Sequence, residues 1–372
     1  MRLGLRGLVW AAVLLAASGC STTTGVGYYW QSVTGHLRLM QAARPIDAWL
    51  ADAQTPATLK DRLELAQRMR AFAVTELGLP DNASYHRYAD LQRRAAIYNV
   101  VAAPELSLTL HNWCFPVAGC VGYRGYFSEA DARAFANSLD PALEVSVYPV
   151  PAYSTLGWMN WAGGDPLLNT FIAYPEGELA RLLFHELSHQ VVYASGDTVF
   201  NESFATTVER LGGARWLASQ AGEAARADYA RFDQRRRDFR ALTLSVRQRL
   251  QTVYQDPALD DTTKRARKAE LMADFRHQYQ GLKNGWGGFA GYDPFVAQAS
   301  NASFAAQAAY DELVPAFDAL FEREGRSFTR FYDAVRALAA LPKEERWARL
   351  RALAPRASIT VTQTTPGERR RP

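Results

Sequence analysis

The chain has 372 residues, 48% of them apolar and 22% charged, which supplies a globular core and excludes a disordered or fibrous protein. Its formal net charge of +4 includes Arg2 and Arg6 near the start, and the remainder is too close to neutral for a nucleic-acid-binding surface. The length fits one large domain or two modest ones.

Residues 1–19 read as a leader outside the fold. MRLGLRG carries two positive charges, and LVWAAVLLAAS is an apolar run too short to span a bilayer comfortably. Ala17, Ser18 and Gly19 lead directly into Cys20. This resembles the lipobox of bacterial lipoproteins, although Ala17 stands where leucine is usual. The resemblance implies that Cys20 is lipidated and becomes the mature N-terminus, and Ser21 after it implies the outer membrane facing the periplasm. An ordinary signal peptide cut nearby is the alternative. Residues 20–27 then form a short tether, and 28–354 a single domain.

The text from about Trp30 to Val101 is helical. ATLKDRLELAQRMRAFAVTELGL places Leu63, Leu65, Ala66, Met69, Phe72 and Ala73 near helical spacing, with Gly78 and Pro80 ending it. YHRYADLQRRAAIYNVV suggests a second helix. Residues 105–110, ELSLTL, and 144–150, EVSVYPV, alternate as strands do, and Pro149 and Pro151 push the second one to a sheet edge. SEADARAFANSL reads as a helix capped by Ser128, with Asp131 at its third position. LLNTFIAY, residues 167–174, is a further short strand.

After Trp216 a charged helix-forming tract runs to about Lys283, broken at residues 256–261, and predicts a helical hairpin with a solvated face. NGWGGFAGYDP is a glycine-rich loop without a phosphate-binding pattern. Two helices follow over 300–324 and 326–341, and residues 355–372 read as a disordered tail. In WCFPVAGCVGY, Cys114 and Cys120 close a short loop and predict a disulfide outside the cytoplasm. A Cys/His metal site with His111 is the alternative, but no fourth ligand stands at a usual spacing.

The chemistry concentrates in FHELSHQVVYASGDTVFNESFATTVERLG, residues 184–212. Ala180, Leu183, Phe184, Leu187 and Val191 make one buried helix face, and His185 and His189 stand one turn apart on another. Two imidazoles so placed can bind one Zn²⁺, while Glu186 projects beside it, where a general base belongs. Glu202 and Glu209 are both candidates for the third ligand. A short reversal around Gly196 favours Glu202, with the first helix running about one turn past His189. Asn201 and Asp197 could accept hydrogen bonds from the histidine rings. His36, His86, His111 and His277 lack ligand spacing.

The same stretch, with YRGYF at 123–127 and AYSTLGW at 152–158, resembles the bacterial predicted zinc aminopeptidases, envelope proteins of the thermolysin-like gluzincin kind. The resemblance covers Tyr28 to about Leu341. It implies His185, His189 and Glu202 as ligands of one Zn²⁺ per chain and Glu186 as catalytic acid/base. Better-known gluzincins place the third-ligand glutamate farther along, at the separation Glu209 has from His189. Tyr310 and Asn301 also match recurrent family text; a tyrosine there could donate to an oxyanion, though a packing role is the plainer reading.

The expected protein is therefore an α+β, mostly helical zincin-like metallopeptidase with a small mixed or antiparallel sheet, tethered by lipid. It would hydrolyse peptide bonds by a zinc-activated water with Glu186 as general base, as an aminopeptidase. The strand edge before AYSTLGW could take an extended peptide. A zinc endopeptidase or amidase, and a non-catalytic lipoprotein with a structural zinc, are the alternatives; the latter needs a closed ligand sphere.

Overall fold

In the computed structural model, residues 25–115, 119–157 and 160–353 are described. The leader, Cys20, Trp158 and the tail from 355 lie outside them. Among the described residues helix accounts for 60% and strand for 10%, so the fold is α+β and mostly helical, as expected.

Helix α1 (Gly25–Ala42) leads through strand β1 (Arg44–Pro45) into α2 (Ile46–Ala51) and α3 (Ala57–Thr75). The stripe expected on α3 is the buried one, from Leu63 to Ala73. The segment read as the next helix is instead two strands, β2 (Arg87–Ala89) and β3 (Ile97–Pro104). Gln92, with φ of 51°, donates its N–H to Asp90 Oδ1, so a turn interrupts any helix there. Val100, Val101, Ala102 and Ala103 are buried in succession, which periodicity alone cannot distinguish from a buried helix segment.

ELSLTL is likewise not a strand. Its chain follows the end of β3 in turn and coil, while Leu106 and Leu108 pack into the apolar cluster of the helical hairpin. Alternation here serves packing and not pairing. Strands β4 (Trp113–Phe115) and β5 (Gly119–Val121) form a hairpin in which Cys114 and Cys120 are disulfide-bonded. Strand β6 (Arg124–Tyr126) precedes α4 (Glu129–Asn137), which Ser128 caps by accepting from Asp131 N. Then comes β7 (Leu143–Val150).

One small sheet was expected and three are found among the described residues: β6-β3-β7 antiparallel, the β4–β5 hairpin, and a mixed sheet β1-β2-β8, with β8 only Leu167–Leu168. Among the described residues strand β7 pairs with β3 alone and is an edge, as its prolines suggested.

Helices α5 (Glu176–Ser188) and α6 (Thr198–Ser219) pack side by side in the main core. Phe184, Phe200 and Phe204 are fully buried there with Phe317 and Phe331. The charged tract forms the expected hairpin, α7 (Glu223–Gln255) and α8 (Asp261–Gly285), and buries Phe239, Val246, Leu250 and Phe275 in a second cluster. A short α9 (Asp293–Ala297) follows. The expected helix over 300–324 is divided into α10 (Asn301–Ala309) and α11 (Val314–Arg323) by a turn at 310–313. After α12 (Phe328–Ala339), an unforeseen α13 (Lys343–Leu353) completes the described fold.

Helix α13 clasps the start of α6. Arg346, 5% exposed, donates to Asp197 Oδ2 at 2.6 Å and to the carbonyls of Leu338, Ala339 and Leu341. Asp197 in turn caps α6 by accepting from Phe200 N and also accepts from Trp347 Nε1. Arg346→Ala strands a buried carboxylate, so it should lower unfolding free energy by about 3–5 kcal/mol. Urea denaturation checks this, and an unchanged midpoint would refute it.

Candidate active site

Helix α5 puts His185 and His189 at its C-terminal end. It stops at Ser188 with His189 as cap residue, so it does not run the extra turn expected from the sequence. Gln190 N donates to Leu187 O and Val191 N to Ser188 O, tightening the chain immediately. Gly196, with φ of 76°, helps reverse it, and the disulfide hairpin lies against that turn. A Cβ on Gly119 would fall 2.7 Å from Gly196 N, so the close approach requires glycine.

This early reversal brings Glu202, the fifth residue of α6, level with both imidazoles. Glu202 Oε2 lies 3.3 Å from His185 Nε2 and 3.7 Å from His189 Nε2, and the two Nε2 atoms are 3.2 Å apart. Bonds of 2.0–2.1 Å to a tetrahedral ion place neighbouring ligand atoms about 3.3–3.4 Å apart, so this triangle fits one face of such a sphere. Among the described residues, these three buried side chains are the His/Cys/Asp/Glu group close enough to hold a metal ion.

Glu209, two turns beyond Glu202, meets the other side of His185. His185 Nδ1 donates to Glu209 Oε2 at 3.0 Å, leaving Nε2 directed at Glu202 and His189. Arg181, one turn before His185 on α5, bonds to the second Glu209 oxygen and is itself 6% exposed. Burial would raise the Glu209 carboxyl, but Arg181 and His185 outweigh it and hold it at about 2. Arg181 escaped the sequence reading; its signal was an arginine four residues before His185 inside an apolar helix.

The two expected outer partners of the histidines act elsewhere. Asn201 makes a two-way bond with the backbone of Ala194, accepting at 2.8 Å and donating at 2.9 Å. Asp197 caps α6 and pairs with Arg346, so both stabilise the loop rather than a ring. His189 Nδ1 is buried without a partner among the described residues, and burial lowers the ring to about 4.

Glu186 sits partly buried at the edge of a cleft of about 780 Å³. Burial raises its carboxyl to about 7; His185 opposes the shift, while Glu202, Asp165 and Glu209 add to it. Asp165, 1% exposed, accepts from Thr155 N through both oxygens at 3.0 and 3.1 Å, fixing residues 152–157 near Glu186. Tyr85 holds φ at 67° with its hydroxyl unpartnered among the described residues; burial, then the charges of Glu186 and Asp165, push that hydroxyl well above its usual value. Nothing in the sequence pattern marked either residue.

Tyr310 is not the packing tyrosine expected. It is 38% exposed at the end of α10, with its ring 6.1 Å from that of His185 and nearly parallel to it. The charge of Glu202 raises its hydroxyl well above the usual value, so it remains a proton donor. Asn301 is structural: it accepts from Tyr254 and donates to the carbonyls of Pro104 and Glu105. The cleft is walled by β7 from Ser146 to Val150 on one side, and by Phe239, Tyr292 and Phe295 on another.

A helix bearing two histidines and an acid, against a second helix bearing a carboxylate, makes a preformed group of the kind that can hold a metal ion beside a proton carrier. The chain matches the family described as "Putative aminopeptidase" over residues 27–350, and it belongs to that family. At this level the family makes it a peptidase. Searches of curated proteins and of solved structures returned no match.

Proposed function

We propose that the protein is a zinc-dependent peptidase, acting as an aminopeptidase, with His185, His189 and Glu202 as metal ligands and Glu186 as general base and acid. The observation that carries this reading is the triangle of ligand atoms, spaced for one ion with Glu186 beside it. Two imidazoles and one carboxylate suit zinc and leave a position open, unlike a structural site. When bound, such an ion supplies Lewis acidity and lowers the pKa of water.

The chain's own groups divide the remaining work. Glu186 takes a proton from the attacking water and returns it to the leaving amine. Glu209, charged and tied to Arg181, holds the His185 ring with Nε2 facing inward. The Tyr310 hydroxyl, kept protonated beside Glu202, donates to the oxygen that gains charge. The edge of β7, unpaired on one side among the described residues, receives the substrate main chain, since residues 146–150 line the cleft.

The test is purified protein against aminoacyl and peptide reporters, with metal analysis and chelation. One zinc per chain and chelator-sensitive cleavage are expected; zinc without hydrolysis across a broad panel would move the reading to a structural metal. N-terminal blocking should lower the rate, and equal cleavage of blocked internal bonds would make the protein an endopeptidase. The leader pattern supports attachment to the outer membrane through lipid on Cys20. Cys20→Ser should therefore abolish incorporation of labelled fatty acid, and retained label would overturn that attachment.

A further inference from the structure

Seven large apolar side chains are exposed among the described residues, and four stand on α1: Tyr29 (46%), Trp30 (71%), Val33 (55%) and Leu37 (51%). Single exposed apolar residues are ordinary, but a cluster of this kind marks a contact surface. The helix has a definite inner row. Gln31 accepts from Phe127 N at 3.2 Å, and Leu39 is 2% exposed. A Cβ on Gly35 would fall 2.2 Å from the Phe127 ring, so this row is pressed onto the domain. Tyr29, Val33 and Leu37 form the i, i+4 row two residues away, about 200° around the helix, with Trp30 beside it. Nothing in the described chain covers that side.

The composition of the bare face indicates its occupant. GVGYYWQSVTGHLRLMQA contains no acidic residue, and exposed Arg38 follows Leu37. Tryptophan and tyrosine beside aliphatic residues, with a cation at the margin, suit the headgroup boundary of a bilayer. Cys20 precedes Gly25 by five residues, a reach of at most about 18 Å. A lipid on Cys20 thus keeps α1 within reach of the membrane surface.

We infer that the Tyr29–Leu37 face of α1 lies in the headgroup region of a phospholipid bilayer containing anionic lipid, a second contact that orients the domain. The inference rests on the anchored reading for its setting, and the second arm of its test needs no lipid on Cys20. In the first arm, the processed full-length protein is placed in phosphatidylethanolamine–phosphatidylglycerol vesicles containing brominated lipid. With eight tryptophans left after the leader is removed, the readout is the quenching lost in Trp30→Phe. In the second, the chain from Ser21, which holds every described element, is floated with the same vesicles without its lipid. Wild type should bind, and Trp30→Ser/Val33→Ser/Leu37→Ser should bind at least tenfold more weakly with the same melting temperature and zinc content. No Trp30-dependent quenching, or equal flotation of the triple variant, overturns the inference. So does a wild-type dimer that the triple variant dissociates while vesicle binding is absent, because the occupant is then a second copy. Peptidase activity is read separately, so its loss leaves this outcome unaffected.

Discussion

Glu186→Gln should leave the metal content of the protein near wild type and lower kcat by about 10²–10⁴-fold, the usual worth of a positioned general base. The amide keeps the volume and nearly the shape of the carboxyl but cannot accept and return a proton. Glu186 is not one of the three atoms of the ligand triangle, so metal binding survives. The pH profile offers a second check. In the metal-free chain, burial raises the carboxyl to about 7. A raised carboxyl pKa means the base form is lost as pH falls through that value, so activity falls on the acid side. A cation held by His185, His189 and Glu202 favours the charged form and moves that acid limb below 7. Full activity in the glutamine variant would remove Glu186 from the mechanism, whatever the metal does.

The parts of this site legible in the sequence were those set by local spacing. His185, Glu186 and His189 lie within one turn and a half of α5, so their relation follows from helix geometry alone. The same holds for the Ser128 cap and for the hairpin broken at 256–261, where local text and local structure agree. What failed was set by neighbours distant in sequence. Strand β3 is buried because α4 and α10 pack against its sheet, and no window of its own residues reports that. ELSLTL alternates but spends its leucines on the α7–α8 hairpin. Asp197 has the residue type of a ring acceptor, yet Arg346, 149 residues away, claims it. Tyr310 reaches the site because the chain turns at 310–313 instead of continuing as one helix.

The choice between Glu202 and Glu209 rests on the same distinction between spacing and place. By separation from His189, Glu209 matches the better-known gluzincins, and Glu202 stands only thirteen residues on. Two turns of one helix separate the two acids, about 10 Å along the axis, so they cannot share one position at the ion. Ending α5 at Ser188 shortens the overhang before the reversal, and a shorter overhang needs a shorter return. Glu202 therefore faces both Nε2 atoms, whereas Glu209 faces Nδ1 of one ring and a guanidinium. Removing an outer partner of a metal-binding histidine costs about 10–100-fold in affinity. Glu209→Ala should fall in that range, read by competition with a chelator of known zinc affinity, because His185 keeps its place on α5. If Glu202 is the third ligand proposed above, Glu202→Ala removes it and should lose more zinc than that at every chelator concentration. It should also abolish turnover, since two imidazoles alone hold the ion weakly. The reverse order of zinc loss would assign the third ligand to Glu209 and require α6 to slide by two turns against α5, which their buried phenylalanines oppose.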